Sequence, residues 1–273
     1  MSNSMSSDSL CAAIGSATEH ILQTDGLVRE FAGFIAVNEV SLKIRRGHIH
    51  ALIGPNGAGK TTCFNLLTKF LEPTRGQIVF NGVDITREAP QVVARRGLVR
   101  SFQISAVFPH LTVLENVRIP LQRKLGNSFH FWASARSLKS LDGRAMELLA
   151  AVGLDAYADM IAVELPYGRK RALEIATTLA LDPELMLLDE PTQGMGHEDV
   201  DQVMQLIKQV SVNRTILMVE HNMKVVSGIC DAITVLARGA VLAEGDYATV
   251  ASNPAVIEAY MGSEAAELAG GHG

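Results

Sequence analysis

The sequence predicts an α/β fold: a mostly parallel sheet accompanied by an antiparallel β layer and interrupted by a helical insertion. Three observations lead there. Ile49–Ile53, Leu185–Leu188 and Thr215–Glu220 are short, mostly apolar segments, as in strands buried on both faces, and each is followed by a helical pattern. Val40, Leu42 and Ile44 alternate with polar residues, and Gln77–Phe80 runs into Asn81-Gly82, so hairpin-joined strands lie beside that sheet. Between about residues 104 and 182 the apolar spacing turns helical, with Leu114, Val117 and Leu121, then Met146, Leu148, Leu149 and Val152 ahead of Gly153.

The first of those strands carries the chemistry. Ile49–Ile53 leads into Gly54-Pro55-Asn56-Gly57-Ala58-Gly59-Lys60-Thr61-Thr62, and Cys63, Leu66, Leu67 and Phe70 then recur at helical spacing. A strand, a glycine loop and a helix in that order, with the pattern G-x-x-x-x-G-K-S/T, form a phosphate-binding loop. The glycines let backbone N–H groups wrap a phosphate chain, and the helix points its positive end at the same anion. Lys60 is placed for the β- and γ-phosphates and Thr61 for Mg²⁺, so a nucleoside triphosphate is the expected ligand. The motif resembles that of P-loop proteins, and the resemblance implies a RecA-like parallel-sheet core. Leu185–Leu188 ends in Asp189-Glu190-Pro191, placing carboxylates at the C-terminal edge of a buried strand, where ligands of such sheets bind. Asp189 is the candidate Mg²⁺ carboxylate and Glu190 the candidate general base for water.

Composition narrows the classes. With 273 residues, 48% of them hydrophobic, the chain can bury a large core. Twenty-four Lys and Arg against 29 Asp and Glu, with no dense basic block, argue against a nucleic-acid binder. Cys11, Cys63 and Cys230 are odd in number and widely spaced, which suggests neither a disulfide framework nor a zinc site. No apolar run approaches the roughly 18 to 20 residues that span a bilayer, so any membrane role is by docking. Residues 1–23 are expected as a loose extension, 24–262 as the folded domain and 263–273 as a small-residue tail.

Together these motifs resemble the ATP-binding subunits of ABC transporters, and the resemblance runs from Gly26 to Gly262. Gly54 to Thr61 matches Walker A, Leu185 to Asp189 matches Walker B, and Glu190 matches the catalytic glutamate. Gln103 matches the Q-loop glutamine that touches Mg²⁺, and His221, in Val219-Glu220-His221-Asn222, the switch histidine at the γ-phosphate. Phe31 matches the aromatic that stacks on adenine, and Val37 is counted with it in the nucleotide site. The signature departs from the family's Leu-Ser-Gly-Gly-Gln, reading Leu165-Pro166-Tyr167-Gly168-Arg169, and Gly196 stands where an aspartate is common. Pro166 supplies neither a hydroxyl nor an N–H. Two readings follow: a weaker half-site completed by a non-identical partner, or a site in which backbone contacts and Arg169 suffice.

Within the family, Phe31–Asn38, Arg100–Gln103, Leu173–Ala176, Glu220–Lys224 and the final Ala259-Tyr260-Met261-Gly262 resemble the LivG-like subunits of branched-chain amino-acid importers. The resemblance implies ATP and Mg²⁺ as cofactors, a second ATPase subunit, two integral-membrane permease subunits and, indirectly, a substrate-binding protein. It implies a position on the cytoplasmic face of the inner membrane. Residues 118–142, with Phe129, Phe131 and Trp132 among basic residues, form an arm suited either to docking on a permease or to packing in the helical insertion. Urea or amide import, lipid export and a soluble non-transport ATPase are the alternatives; one nucleotide domain without heptads weighs against the last.

Overall fold

The computed structural model describes residues 19–101, 107–123 and 140–261. Gln103, the aromatic part of the arm (Phe129, Phe131 and Trp132), the first eighteen residues and the 263–273 tail lie outside them. In chain order the described residues form β1 (His20–Phe31), β2 (Phe34–Val40), β3 (Lys43–Arg45), β4 (Ile49–Ile53), α1 (Lys60–Leu67), β5 (Arg75–Phe80), β6 (Val83–Asp84) and α2 (Pro90–Arg95). Then come β7 (Leu98–Arg100), α3 (Val113–Gln122), α4 (Asp142–Ala151), α5 (Tyr167–Leu179), β8 (Leu185–Asp189) and α6 (His197–Ser211). The chain continues with β9 (Thr215–Val219), α7 (Met223–Ile229), β10 (Ala232–Ala237), β11 (Ala240–Gly245) and α8 (Tyr247–Ala251), and residues 254–261 are helical. Two compact units result: Met1–Arg96 with Thr215–Gly273, and Gly97–Arg214.

In the first unit, β4 is flanked in parallel by β9 and β10, and β11 turns back antiparallel on β10. All five residues of β4 and of β9 are buried, as central parallel strands require. The antiparallel layer runs β2-β1-β5-β6, with β3 also on β1. β1 begins at His20, so residues 20–23 belong to this layer and not to the extension expected over 1–23. Three two-residue turns close the hairpins, Ala32-Gly33, Asn81-Gly82 and Arg238-Gly239, each with both residues at positive φ. That backbone matches the twist of the strands it joins.

The alternation expected through Val40–Arg45 survives in the burial of Val40, Leu42 and Ile44, but the strand itself breaks between β2 and β3. Thr24 is the cause. Its hydroxyl donates to Val40 O at 3.0 Å and accepts from Leu42 N at 2.8 Å, taking over bonds a ladder would otherwise make.

In the second unit β7 and β8 are parallel, with Arg100 in register with Leu187. α3 packs on α4 and α5, and α5 packs on α6. α3 starts at a capping box: Glu115 N donates to the Thr112 hydroxyl at 3.1 Å, and Thr112 N donates to the Glu115 carboxylate at 2.8 Å. Its buried face holds Val113, Val117 and Leu121 together with Asn116, whose amide is spent on Phe108 and Thr112 backbone groups. The unit is wider than a 104–182 insertion, because β7, β8 and α6 belong to it.

Candidate nucleotide site

Val219 of β9 is in register with Leu52 of β4, so both strands end at the same edge of the sheet. Gly54 lies two residues beyond Leu52 and His221 two beyond Val219. The chain leaves β4 through Gly54 at φ 147°, where a Cβ would stand 2.1 Å from Leu236 O, and enters α1 after Gly59 at φ 97°, where a Cβ would stand 2.5 Å from Ala36 O. Only glycine fits at either point. Gly239 N donates to Ala58 O at 3.1 Å and Asn38 N donates to Gly239 O at 2.7 Å, which ties the loop to the β10–β11 turn and to β2. No side chain caps α1 and no acid lies in its first turn, so its leading N–H groups keep their anion-binding capacity. The Lys60 ammonium folds back over the loop, donating to Gly54 O at 2.6 Å and Pro55 O at 3.0 Å. Asn56, Gly57 and Thr61 are exposed, Pro55 and Thr62 are half-buried, and Ala58 is buried.

Around this loop the expected residues divide. Phe31 is 39% exposed at the end of β1, with the Arg29 guanidinium 4.4 Å above its ring, a surface on which a base can stack. Val37 is fully buried in β2, so its side chain is not open to a ligand. His221 is exposed, and the turn that presents it is built by Glu220, a fully buried carboxylate accepting from His221 N at 3.0 Å and Asn222 N at 3.1 Å.

His50, inside β4, was not legible as special. Its Nε2 lies 2.8 Å from the Thr234 hydroxyl, and burial, then the neighbouring His48, push its pKa down to about 4, so it is neutral at pH 7.

The second unit holds the acids and the signature. β8 delivers Asp189, 7% exposed, and the next residue, Glu190, turns at φ 45° to leave the strand. Arg100 pairs with Asp189 Oδ2, and Arg171 donates to Asp189 O at 3.0 Å. Arg171 also holds Glu174 at 2.5 Å; burial raises the Glu174 carboxyl and Arg171 opposes that rise. Pro166 caps α5 through its carbonyl, which accepts from Lys170 N at 3.0 Å, leaving Tyr167, Gly168 and Arg169 as the first turn. Tyr167 donates its hydroxyl to Gln193 O at 3.1 Å. Arg169 stacks over Tyr157 at 4.0 Å. Gly168 sits against Asp199, where a Cβ would come 3.2 Å from Oδ1.

Among the described residues no three His, Cys, Asp or Glu side chains are grouped to hold a metal. The Thr61 hydroxyl in the first unit and the Asp189 carboxylate in the second are each hard oxygen donors of the sort Mg²⁺ takes alongside phosphates and water, so the chemistry of each fits that ion.

This is a nucleotide-binding α/β ATPase. Residues 37–193 match the model of the ABC transporter family, and residues 240–266 match that of the branched-chain amino acid ATP-binding cassette transporter. The chain belongs to the ABC transporter family, as an ATPase of the importer type. It is 39% identical to the high-affinity branched-chain amino acid transport ATP-binding protein BraF of Pseudomonas aeruginosa, over 89% of this chain and 98% of BraF. It is also 39% identical to LivG of Salmonella typhimurium, over 90% and 99%. Among solved structures, an ATP-binding cassette of an ABC transporter in its ADP conformation aligns with TM-score 0.80 at 29% identity, covering 90% of this chain and all of that one. A bacterial ABC transporter cassette solved as a dimer aligns with TM-score 0.67 at 25% identity, covering 82% and 98%.

Proposed function

We propose that this chain binds and hydrolyses ATP to power import of branched-chain amino acids, or of amino acids like them, through two permease subunits. The cargo rests on the 39% identity to BraF and LivG along nearly their whole length. The chemistry rests on one observation above all: Gly54–Thr62 leaves a buried strand and opens a helix whose N-terminus has neither a side-chain cap nor an acid.

In this reading the loop and the first turn of α1 bind the phosphate chain through backbone N–H groups, and Lys60 exchanges its two carbonyl partners for phosphate oxygens. Phe31 stacks on the base. Thr61, Asp189 and Gln103 would hold Mg²⁺, which would supply positive charge to the phosphate chain. Glu190 orients the attacking water and takes its proton, and His221 donates to the γ-phosphate. The signature turn Pro166–Arg169 acts on the nucleotide of a second ATPase subunit; that a related cassette was solved as a dimer supports there being such a subunit. With Pro166 unable to donate, the subunit's partner is a non-identical chain, and the complex lies on the cytoplasmic face of the inner membrane.

Two variants test the chemistry. Lys60→Ala should abolish binding of a fluorescent ATP analogue. Glu190→Gln should bind it normally while turnover falls by about 10²-fold or more. Hydrolysis retained in Glu190→Gln removes that residue from its role. Pro166→Ser should raise the ATPase rate of the assembled complex if the half-site is weakened by proline; an unchanged rate returns the signature to its backbone alone.

A further inference from the structure

β7 ends at Arg100, in register with Leu187, two residues before Asp189 on β8. Its guanidinium Nη2 donates to Asp189 Oδ2, and the two side chains are 13% and 9% exposed, so solvent screens the pair little. The same arginine lines a cavity of about 180 Å³ with Asn116, Glu174 and Thr178, which places its stem among residues of the unit and not in solvent. Arg171 meanwhile takes the Asp189 carbonyl. The aspartate is thus fixed at both ends, main chain by one arginine and carboxylate by another. A buried carboxylate needs hydrogen-bond donors or a positive partner, and here a guanidinium supplies both and opposes the approach of a bare dication to the same oxygens.

We propose that Arg100 is a positioning residue: the resident counter-ion of Asp189, which holds the carboxylate in place and closed to a divalent cation until nucleotide phosphates bring further negative charge. The inference rests on the reading of Asp189 as the Mg²⁺ carboxylate. It makes cation uptake depend on nucleotide, so that the site does not fill with metal alone. The fixed charge and planar guanidinium of arginine suit this task, and a lysine in its place would hold the carboxylate less rigidly.

The test measures Mn²⁺ binding to the full-length chain by loss of the free-ion electron paramagnetic resonance signal, with and without ATP, the ATP arm being read against the same Mn²⁺ and ATP without protein, because free nucleotide also binds the ion. The native chain should take up Mn²⁺ only with ATP present. Arg100→Gln should bind it without nucleotide about tenfold more tightly or better, Arg100→Lys should fall between, and adding Asp189→Asn to Arg100→Gln should remove the gain. In the absence of ATP, Mn²⁺ should also raise the melting temperature of Arg100→Gln and leave the native chain unchanged. If Arg100→Gln does not fold, Arg100→Lys decides by the same readout. Folded variants with nucleotide-free Mn²⁺ binding equal to the native chain overturn the proposal. Asp189→Asn alone separates the two levels: loss of ATP-dependent Mn²⁺ uptake keeps the reading of Asp189, whereas unchanged uptake overturns that reading and the role of Arg100 with it.

Discussion

Arg171 and Glu174 are the side chains on which the end of β8 depends most. They are 7% and 2% exposed and bonded at 2.5 Å, and the same guanidinium reaches Asp189 O. Removing one partner of a buried pair leaves a charge without compensation, at a cost of about 3–5 kcal/mol, whereas replacing both with apolar residues of similar volume is often close to neutral. Arg171→Met should therefore lose about that much stability in urea denaturation, and Arg171→Met with Glu174→Leu should recover most of it. Recovery of folding in the double variant should not restore full turnover, because the Asp189 carbonyl stays without its donor. Glu190 shows the opposite balance. A non-glycine residue at φ 45° carries strain of about 1–2 kcal/mol, so Glu190→Gly should lose turnover without losing stability. A fall in the denaturation midpoint of Glu190→Gly would show that this backbone is not strained.

At the scale of elements, β4 and the loop after it act as one piece. Gly54 is enclosed by Leu236 O, Gly59 by Ala36 O, and Gly239 N and Asn38 N close the bonds between the three chain segments. Gly57, by contrast, needs glycine only for its φ of 76°, since a Cβ there meets nothing within 4 Å. His50 adds a pH dependence to the same strand. Its folded pKa of about 4 lies below the ordinary 6.5, so the unfolded chain binds the extra proton between those values. The stability it contributes is complete above pH 6.5 and is lost as pH falls through about 4, a total of about 3 kcal/mol. His50→Gln should flatten the acid limb of the stability profile over that window and leave the neutral region less affected. A denaturation midpoint that falls as steeply between pH 6.5 and 4 in His50→Gln as in the native chain would remove His50 from this role.

For the whole molecule, legibility in the sequence followed the range of the interaction. The phosphate loop, the buried strands β4, β8 and β9 and the turn at Asn81-Gly82 were readable because glycine conformation and apolar periodicity are local. Arg100 was quoted for its place before Gln103, yet its pairing with Asp189 spans 89 positions, and nothing in the local pattern distinguishes it from a surface arginine. Glu220 and His50 were missed for the same reason: a buried polar side chain announces itself only through the partner that pays its desolvation. The break between β2 and β3 came from one threonine hydroxyl across the sheet.

The molecule as a whole also bears on attachment. Among the described residues no helix is long and apolar enough to cross a membrane, and the full chain carries a net charge of −5, which does not favour an anionic lipid surface. On the proposed function, association with a membrane runs through the permease subunits. Alkaline carbonate washing of membranes from the native organism should release this chain while the permeases stay behind, and mild detergent should instead recover it with a second ATPase and two permease chains. A chain that resists the carbonate wash would be held by lipid contacts, against this expectation. A chain recovered alone or with ribosomal or DNA-repair proteins would detach the importer role from the site chemistry, since Gly54–Thr62 would bind nucleotide in either setting.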